Sequence, residues 1–306
     1  MKTRLFATTR SFQGGATFDT FDVEKFKKGV VAPITKLLST APPEFMGIAV
    51  VSCAEVGSKY AEQVVLDRNN PTLPHDDDIY DRTPTTHYLR EAFPKEVAAG
   101  RVVPVLCKNW GLNAGSATAI NDGIAVARQH GTDDVLVWSP EIDLDGHMIS
   151  AMLAHKQRYA LKLAGYMRNR WYQRLQWAFA QNTCAIWDLD TLKAVDDFNS
   201  ACNGDGKSVV STPEFGEVPL AGMEDIEAYF RASRHFGESL RWGAVGMQNP
   251  AVWNLALKKP GTREYDDNAK KIARQGLVMD AYASRIYPEL EPVEVYDRMM
   301  QVAAFA

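Results

Sequence analysis

The sequence predicts an α/β fold, in which a mostly parallel central sheet is flanked by helices. One observation is a continuous apolar run, GIAVVSC from Gly47 to Cys53, which is typical of a strand buried on both faces of a parallel sheet. Another is that such runs alternate with segments whose apolar residues have helical spacing. This alternation is the pattern of parallel strands joined by crossover helices.

Short apolar runs predict the other strands of the first half. They are Arg4 to Thr8, Arg101 to Cys107 and Val135 to Trp138. Pro104 lies inside the second of these runs and argues against a central position in the sheet, because proline has no N–H to donate to a neighbouring strand.

The segment from Ser116 to Gly131 is predicted to be a helix with clear ends. Ser116 is a suitable cap, and Gly131 provides the stop. One face is apolar and consists of Ala117, Ile120, Ile124 and Ala127. We predict two further helices, Val23 to Leu38 with a kink at Pro33, and His87 to Ala99, which ends at Gly100.

The composition of the chain limits the classes of function that it suggests. The chain has 306 residues, of which 46% are apolar, and a net charge of about −4. No long basic run indicates a nucleic-acid or membrane track. The start, MKTRLFATTRSF, lacks the apolar core of a signal peptide, so we expect a soluble cytoplasmic protein. The four cysteines contain no CxxC pair, which favours reduced packing residues over a zinc site.

The stretch VLVWSPEIDLDGHMISAML combines a strand, a turn and a helix that spans Gly146 to Lys156. The turn, Ser139 to Asp143, carries two carboxylates at the end of the strand, where ligand sites of open α/β sheets lie. Two interpretations are open for Glu141. It either contributes to a metal and phosphate site or favours the following helix electrostatically.

Two segments of the second half complete the pattern. NTCAIWDLDTL is predicted to be a strand that enters a short helix. LAGMEDIEAYFRASRHFG is predicted to be a turn followed by a helix, with an acidic first turn that suits the helix dipole and an end at Gly237.

The order of these segments resembles the GT-A glycosyltransferases, in particular the large family that uses nucleotide-diphosphate sugars with one Rossmann-like domain. The family's asparagine- and glycine-containing segment after the third strand is approximated by Asn109, Gly111, Ala114, Ala117, Asn121, Gly123 and Ile124. Its gGFd segment is imitated by VDDFN, Val195 to Asn199. Its G-x-E-D-x-E/D-x-x-x-R segment is reproduced by Gly222, Glu224, Asp225, Glu227 and Arg231.

The resemblance implies a glycosyltransferase-like domain over residues 1–245. Residues 246–306 are then a C-terminal helical extension that packs on this domain. The family's Asp-x-Asp metal motif has Ser139 at its first position and Glu141 at its second. A divalent cation, manganese or magnesium, would therefore depend on Glu141, while Asp143 and Asp145 are better explained as helix-capping acids.

The resemblance also implies roles for site residues. Asp225 is the catalytic base and Glu224 is its neighbour, although both acids equally suit a helix N-terminus. The residues expected to bind the nucleotide sugar are Thr8, Arg10, Glu55, Asn109, Asn113, Asn121 and Ser139. Trp187 and Trp242 are candidates for the acceptor wall, although tryptophans at such spacings are more often core residues.

The function expected from the resemblance is transfer of a sugar from a nucleotide-diphosphate donor to a carbohydrate or other hydroxyl acceptor. Two alternatives stay open: a sugar-nucleotide nucleotidyltransferase, and a non-catalytic nucleotide-sugar-binding protein that kept the fold. For the C-terminal helices, a dimer contact fits as well as packing on the sheet. The donor, the acceptor and the stereochemistry are not fixed by the fold.

Overall fold

A computed structural model of the chain describes residues 3–11, 17–53, 83–107, 116–140, 142–167, 180–199, 209–212, 216–219, 224–245 and 276–305. The chain divides into two compact units, Met1–Ile149 and Ser150–Ala306.

The first unit contains a parallel sheet of four strands, β1 (Leu5–Arg10), β2 (Phe45–Cys53), β3 (Val102–Cys107) and β4 (Asp134–Trp138). Their order is β4, β1, β2, β3, and every neighbouring pair is parallel. All residues of β4 are buried, as expected for a strand that is covered on both faces. Strand β3 is the outermost of the four, which is the position that Pro104 favours.

The helical segment between β1 and β2 has three parts: α1 (Val23–Phe26), a π-helical stretch (Lys27–Val31) and α2 (Ala32–Thr40). Pro33 explains the irregular middle part, because proline has no N–H to donate to the carbonyl of Gly29 four residues earlier. The predicted helix is therefore present with a widened, π-helical turn just before Pro33, and the kink itself stays a prediction.

The helices before β3 each begin at a proline. They are α3 (Pro84–Ala92) and α4 (Pro94–Ala98), and proline suits the first turn because no intrahelical partner is needed there. The prediction of one helix from His87 to Ala99 is wrong, since the helix starts earlier and is interrupted at Phe93. Gly100 follows with a φ of 68°, as predicted for the stop.

Helix α5 (Ser116–Gln129) packs on β1 and β2. Its predicted apolar face is confirmed, because Ala117, Ile120, Ile124 and Ala127 are buried. The helix approaches β1 closely at Gly123, where an added Cβ would lie 1.7 Å from Oγ1 of Thr8. Gly131, with a φ of 62°, lies just after the helix, as predicted.

Helix α6 (Gly146–Arg158) follows the turn after β4, and Asp145 caps its N-terminus. The carboxylate of Asp145 accepts a hydrogen bond of 3.0 Å from the N–H of Met148. The N–H of Gly146 donates to Oγ1 of Thr40 at 3.0 Å. An added Cβ on Gly146 would lie 1.7 Å from the Thr40 carbonyl oxygen, so this approach requires glycine.

The strands of the second unit are β5 (Leu163–Met167), β6 (Ala180–Asp188), β7 (Val209–Thr212), β8 (Gly216–Pro219), β9 (Trp242–Val245) and β10 (Ala303–Phe305). In the larger sheet the order is β10, β9, β5, β6, with β6 antiparallel and the others parallel. Strands β7 and β8 form an antiparallel pair.

The helices of the second unit are α7 (Leu189–Ala194), α8 (Glu224–Phe236), α9 (276–286) and α10 (Pro292–Gln301). The C-terminal helices are joined to the body of this unit by hydrogen bonds. Nη1 of Arg234 donates to the carbonyl of Ile286 at 2.6 Å. Nε1 of Trp242 donates to the carbonyl of Met299 at 2.9 Å.

The predicted fold class is confirmed: the chain is a Rossmann-like α/β protein with mostly parallel strands, flanking helices and helices near the C-terminus. Strand β10 was not predicted, because Ala303–Phe305 is too short to show strand periodicity. The assignment of residues 1–245 to one domain and 246–306 to an extension stays a prediction.

Across the ranges that the structure describes, no helix combines the length and the apolar character needed to cross a bilayer.

We predict that Gly123→Ala lowers the free energy of unfolding by about 1–3 kcal/mol. The new methyl group would overlap the side chain of Thr8, at 1.7 Å from its Oγ1. Gly29→Ala is the matched control, since a Cβ there meets nothing within 4 Å. Urea unfolding measures both variants, and equal stabilities would contradict the close contact between α5 and β1.

We expect Asp145→Ala to destabilise the protein by about 1 kcal/mol, because α6 loses its capping carboxylate. Asp143→Ala is the matched comparison two residues away. The side chain of Asp143 is 67% exposed and pairs with Lys36, so its loss is expected to change stability by about 0–1 kcal/mol. Thermal unfolding followed by circular dichroism tests this order, and a larger loss for Asp143→Ala would contradict it.

Candidate active site

Helix α8 carries most of the acidic segment singled out in the sequence. It begins at Glu224, so the predicted base Asp225 lies in its first turn. The following residues are apolar and buried, namely Ala228, Tyr229, Phe230 and Ala232. Gly237, with a φ of 55°, follows the last residue of the helix, as predicted. The apolar face anchors the helix in the second unit, which fixes the position of its first turns.

A buried ion pair joins Glu227 and Arg231 on α8. The side chain of Glu227 is 5% exposed, and Nε of Arg231 donates to Oε1 at 2.9 Å and to Oε2 at 2.8 Å. Residues four apart lie on the same side of a helix, which explains the pairing. Oε1 also accepts from Nδ2 of Asn199 at 3.1 Å. Both oxygens of Glu227 are thus engaged by donors.

The same ion pair connects α8 to the VDDFN segment. Nη2 of Arg231 donates to the carbonyl of Asp197 at 2.6 Å, beside the Asn199 contact. Val195 packs in an apolar cluster with Ala232 of α8. Two segments on which the resemblance rests are therefore in direct contact, although they lie about thirty residues apart in the sequence.

The VDDFN segment adopts a backbone conformation that is rare for residues with side chains. Asp196 has a φ of 60° and Asp197 a φ of 55°. Aspartate is among the residues that tolerate this left-handed region best, yet the conformation still costs about 1 kcal/mol per residue. The family segment that VDDFN imitates is glycine-containing, and glycine adopts such angles without strain.

The two tryptophans predicted for the acceptor wall lie in the core of the second unit. Trp187 and Trp242 are both 0% exposed. The ring of Tyr229 lies against both of them, with centroid distances of 5.0 and 5.7 Å. Phe198 packs against Trp187 edge to face at 5.5 Å. Neither indole is exposed to solvent, so both pack in the core against Tyr229 of α8, and Trp187 also contacts Phe198 of the VDDFN segment.

The first unit holds four described residues from the predicted nucleotide-sugar set. Thr8 is buried beneath Gly123 of α5, so its hydroxyl faces the helix. Arg10 is half-buried at the end of β1, and Ser139 is half-buried just after β4. Because β1 and β4 are parallel neighbours, these two residues come to the same sheet edge. Asn121 is half-buried within α5.

The turn after β4 is held by internal bonds. The indole Nε1 of Trp138 donates to the carbonyl of Ile142 at 3.0 Å, and the N–H of Ile142 donates to the carbonyl of Ser139 at 2.9 Å. Asp143 pairs with Lys36, and Asp145 caps α6. The preferred interpretation of Asp145 as a capping acid is confirmed, whereas Asp143 forms an ion pair with another helix.

The described residues do not supply a metal site at this turn. Both aspartates have partners of their own, and the described ranges contain no cluster of three or more histidine, cysteine, aspartate or glutamate residues that suits a metal ion.

Several predicted residues lie outside the described part of the structure. They are Glu55, Asn109, Asn113 and Glu141. For Glu224 and Asp225 the helical backbone is described and the side chains are not. Their roles stay predictions.

Sequence reasoning missed the contact between Asn199 and Glu227. The spacing of Glu227 and Arg231 was available as a signal, because oppositely charged residues four apart on a helix commonly pair. The burial of that pair and its bond to the carbonyl of Asp197 depend on the tertiary fold, which spacing does not reveal.

Neither a protein-family model nor a curated protein sequence matches the chain. Among solved structures, the fold is similar to S. aureus TarS 1-349, with 10% identity and a TM-score of 0.39 over 76% of this chain and 56% of that one. TarS 1-349 in complex with UDP gives 9% identity and a TM-score of 0.40, over 98% of this chain and 90% of that one. A 4-diphosphocytidyl-2C-methyl-D-erythritol synthase gives 13% identity and a TM-score of 0.35. The match covers 92% of this chain and 100% of the synthase. At these values the similarities assign neither a family nor a residue role, and in the first of them the chain spans only 56% of the TarS length.

Proposed function

We propose that this protein is a glycosyltransferase that moves a sugar from a nucleotide-diphosphate donor to a hydroxyl acceptor. The observation that carries the proposal is the bonded contact between the VDDFN segment and α8 through Glu227 and Arg231. The sequence resemblance includes both segments and assigns the catalytic acid to the second of them. Their contact in the fold supports the resemblance, and the α/β architecture of both units is compatible with it.

The proposed base is Asp225, in the first turn of α8. In an inverting transfer, a carboxylate takes a proton from the acceptor hydroxyl as that oxygen attacks the sugar. Glu227 is unsuited to this task, because both of its oxygens already accept hydrogen bonds from Arg231 and Oε1 accepts another from Asn199. Among the acids of the segment this leaves Asp225, with Glu224 beside it, as the proposed pair at the reacting centre.

The proposed donor-binding residues lie in the first unit. Arg10 and Ser139 stand at the carboxyl ends of neighbouring parallel strands, where α/β proteins bind ligands. An arginine suits a diphosphate because its guanidinium stays charged and offers paired donors. Glu55, Asn109, Asn113 and Asn121 complete the proposed donor set, and Glu141 is proposed as the carboxylate at a divalent cation, if one binds.

We predict that Asp225→Asn lowers kcat by about 10²–10⁴-fold and leaves donor binding unchanged, because an amide cannot accept the acceptor proton. Glu238→Gln is the matched control, an exposed carboxylate just after α8, and it is expected to keep full activity. Turnover is measured by mass spectrometry across a panel of nucleotide sugars, and donor affinity by calorimetry with UDP and GDP, each with and without manganese.

Two outcomes would contradict the proposed transfer reaction, and a third would contradict only the proposed base. Release of pyrophosphate from a nucleoside triphosphate would identify a nucleotidyltransferase instead. Nucleotide binding without turnover or donor hydrolysis would favour a binding protein. Full activity of Asp225→Asn would remove Asp225 as the base while leaving the transfer reaction itself in place.

A further inference from the structure

The VDDFN loop, residues Val195–Asn199, is held in a conformation that its own sequence disfavours. Asp196 and Asp197 are consecutive residues with φ values of 60° and 55°. A Cβ carbon opposes the left-handed region, so two such residues in succession persist only where neighbouring structure determines the backbone. The question is which contacts hold this loop.

Bonds to the preceding helix hold the first part of the loop, including both residues with positive φ. The N–H of Asp197 donates to the carbonyl of Leu192 at 2.9 Å, and the N–H of Asp196 donates to the carbonyl of Lys193 at 3.3 Å. Both bonds join the loop to the end of α7, which is only six residues long. Val195 is anchored in an apolar cluster with Ala232.

Two hydrogen bonds between the loop and α8 involve one ion pair. Arg231 donates to the carbonyl of Asp197, the second of the two residues with positive φ, at 2.6 Å. Asn199, two residues later, donates to Glu227 at 3.1 Å. Arg231 and Glu227 are in turn bonded to each other, with Glu227 buried. The ion pair therefore holds the second part of the loop, from Asp197 to Asn199.

We propose that Glu227 and Arg231 are positioning residues that clamp the VDDFN loop in its left-handed conformation against α8. The proposal rests on the proposed function, because the loop is bound to Glu227, which lies within one turn of Glu224 and Asp225 on α8. Misplacement of a reacting group by about 1 Å can lower a rate about 10²-fold. The clamp thus sets the geometry of the proposed base and takes no proton itself.

The first test is Glu227→Gln. A glutamine has one acceptor oxygen and places its amide N–H groups toward the N–H donors of Arg231 and Asn199, so the clamp is broken. We expect kcat to fall about 10²-fold, with KM for the donor nearly unchanged. The pH midpoint of the acidic limb of the rate profile is expected to stay where it is in the wild type, because Glu227 is not the base.

The second test relieves the strain. In the Glu227→Gln background, replacing Asp196 and Asp197 together by glycine is expected to restore kcat by about tenfold or more, since glycine adopts positive φ readily and the loop needs less support. Asp190→Gly in the same background is the matched control. It removes an exposed aspartate from α7, where φ is helical, and is expected to restore nothing.

Hydrogen exchange of the amides of residues 192–199 gives a readout that does not depend on activity. Exchange is expected to rise about tenfold or more in Glu227→Gln and to fall again in the glycine variant. Asn199→Ala, which removes one donor and keeps the ion pair, serves if Glu227→Gln folds poorly, with smaller changes in the same direction.

The outcomes separate this proposal from the proposed function. Unchanged loop exchange in Glu227→Gln overturns the clamp whether or not the enzyme turns over. Raised exchange with wild-type kcat overturns its positioning role and leaves the transferase intact. Loss of the acidic limb in Glu227→Gln overturns the proposal, because Glu227 would then carry the proton. If the wild type transfers no sugar, the proposed function and the positioning role fail together, while raised exchange still supports the clamp itself.

Discussion

The second unit depends on the ion pair between Glu227 and Arg231. A carboxylate buried to the extent of Glu227 is expensive to desolvate, and removal of its partner from such a pair typically destabilises a protein by about 3–5 kcal/mol. The pair is therefore a constraint as well as a contact. It requires Arg231 to lie beside Glu227, and with Arg231 in that position its Nη2 donates to the carbonyl of Asp197. The loop conformation follows from satisfying the buried charge.

Helix α8 is fixed between Glu227 and Arg234 by interactions of different kinds. Near its start the ion pair binds the VDDFN loop. In its middle Tyr229 lies against Trp187 and Trp242. Near its end Arg234 donates to the carbonyl of Ile286 and lies over the ring of Tyr287 at 5.2 Å. A catalytic group needs support that does not move during the reaction, and elements locked by packing and second hydrogen bonds provide it. The C-terminal helices thus contribute to the rigidity of the helix that carries the proposed base.

The sequence predicted what local pattern determines. Apolar runs located β2 and β4, and glycines marked the ends of α5 and α8, because both signals depend on residues close together in the chain. It did not predict that Thr8 would lie under α5, since the reason is the missing side chain of Gly123, more than a hundred residues away. It also gave no sign that Asp196 and Asp197 adopt positive φ, because aspartate alone does not require that conformation and the contacts around it come from the end of α7 and from α8.

The acidic residues of α8 and of the turn after β4 differ in their partners. In α8 the acid and the arginine of the motif, Glu227 and Arg231, are bonded to each other and to a second motif. In the turn, serine replaces the first carboxylate, and the acids that follow are engaged by Lys36 and by the start of α6. Magnesium typically binds through one or two carboxylates and completes its shell with water and substrate phosphates. With Asp143 and Asp145 engaged in this way, a metal ion at Glu141, as proposed, would take most of its remaining ligands from water and from the phosphates of the donor.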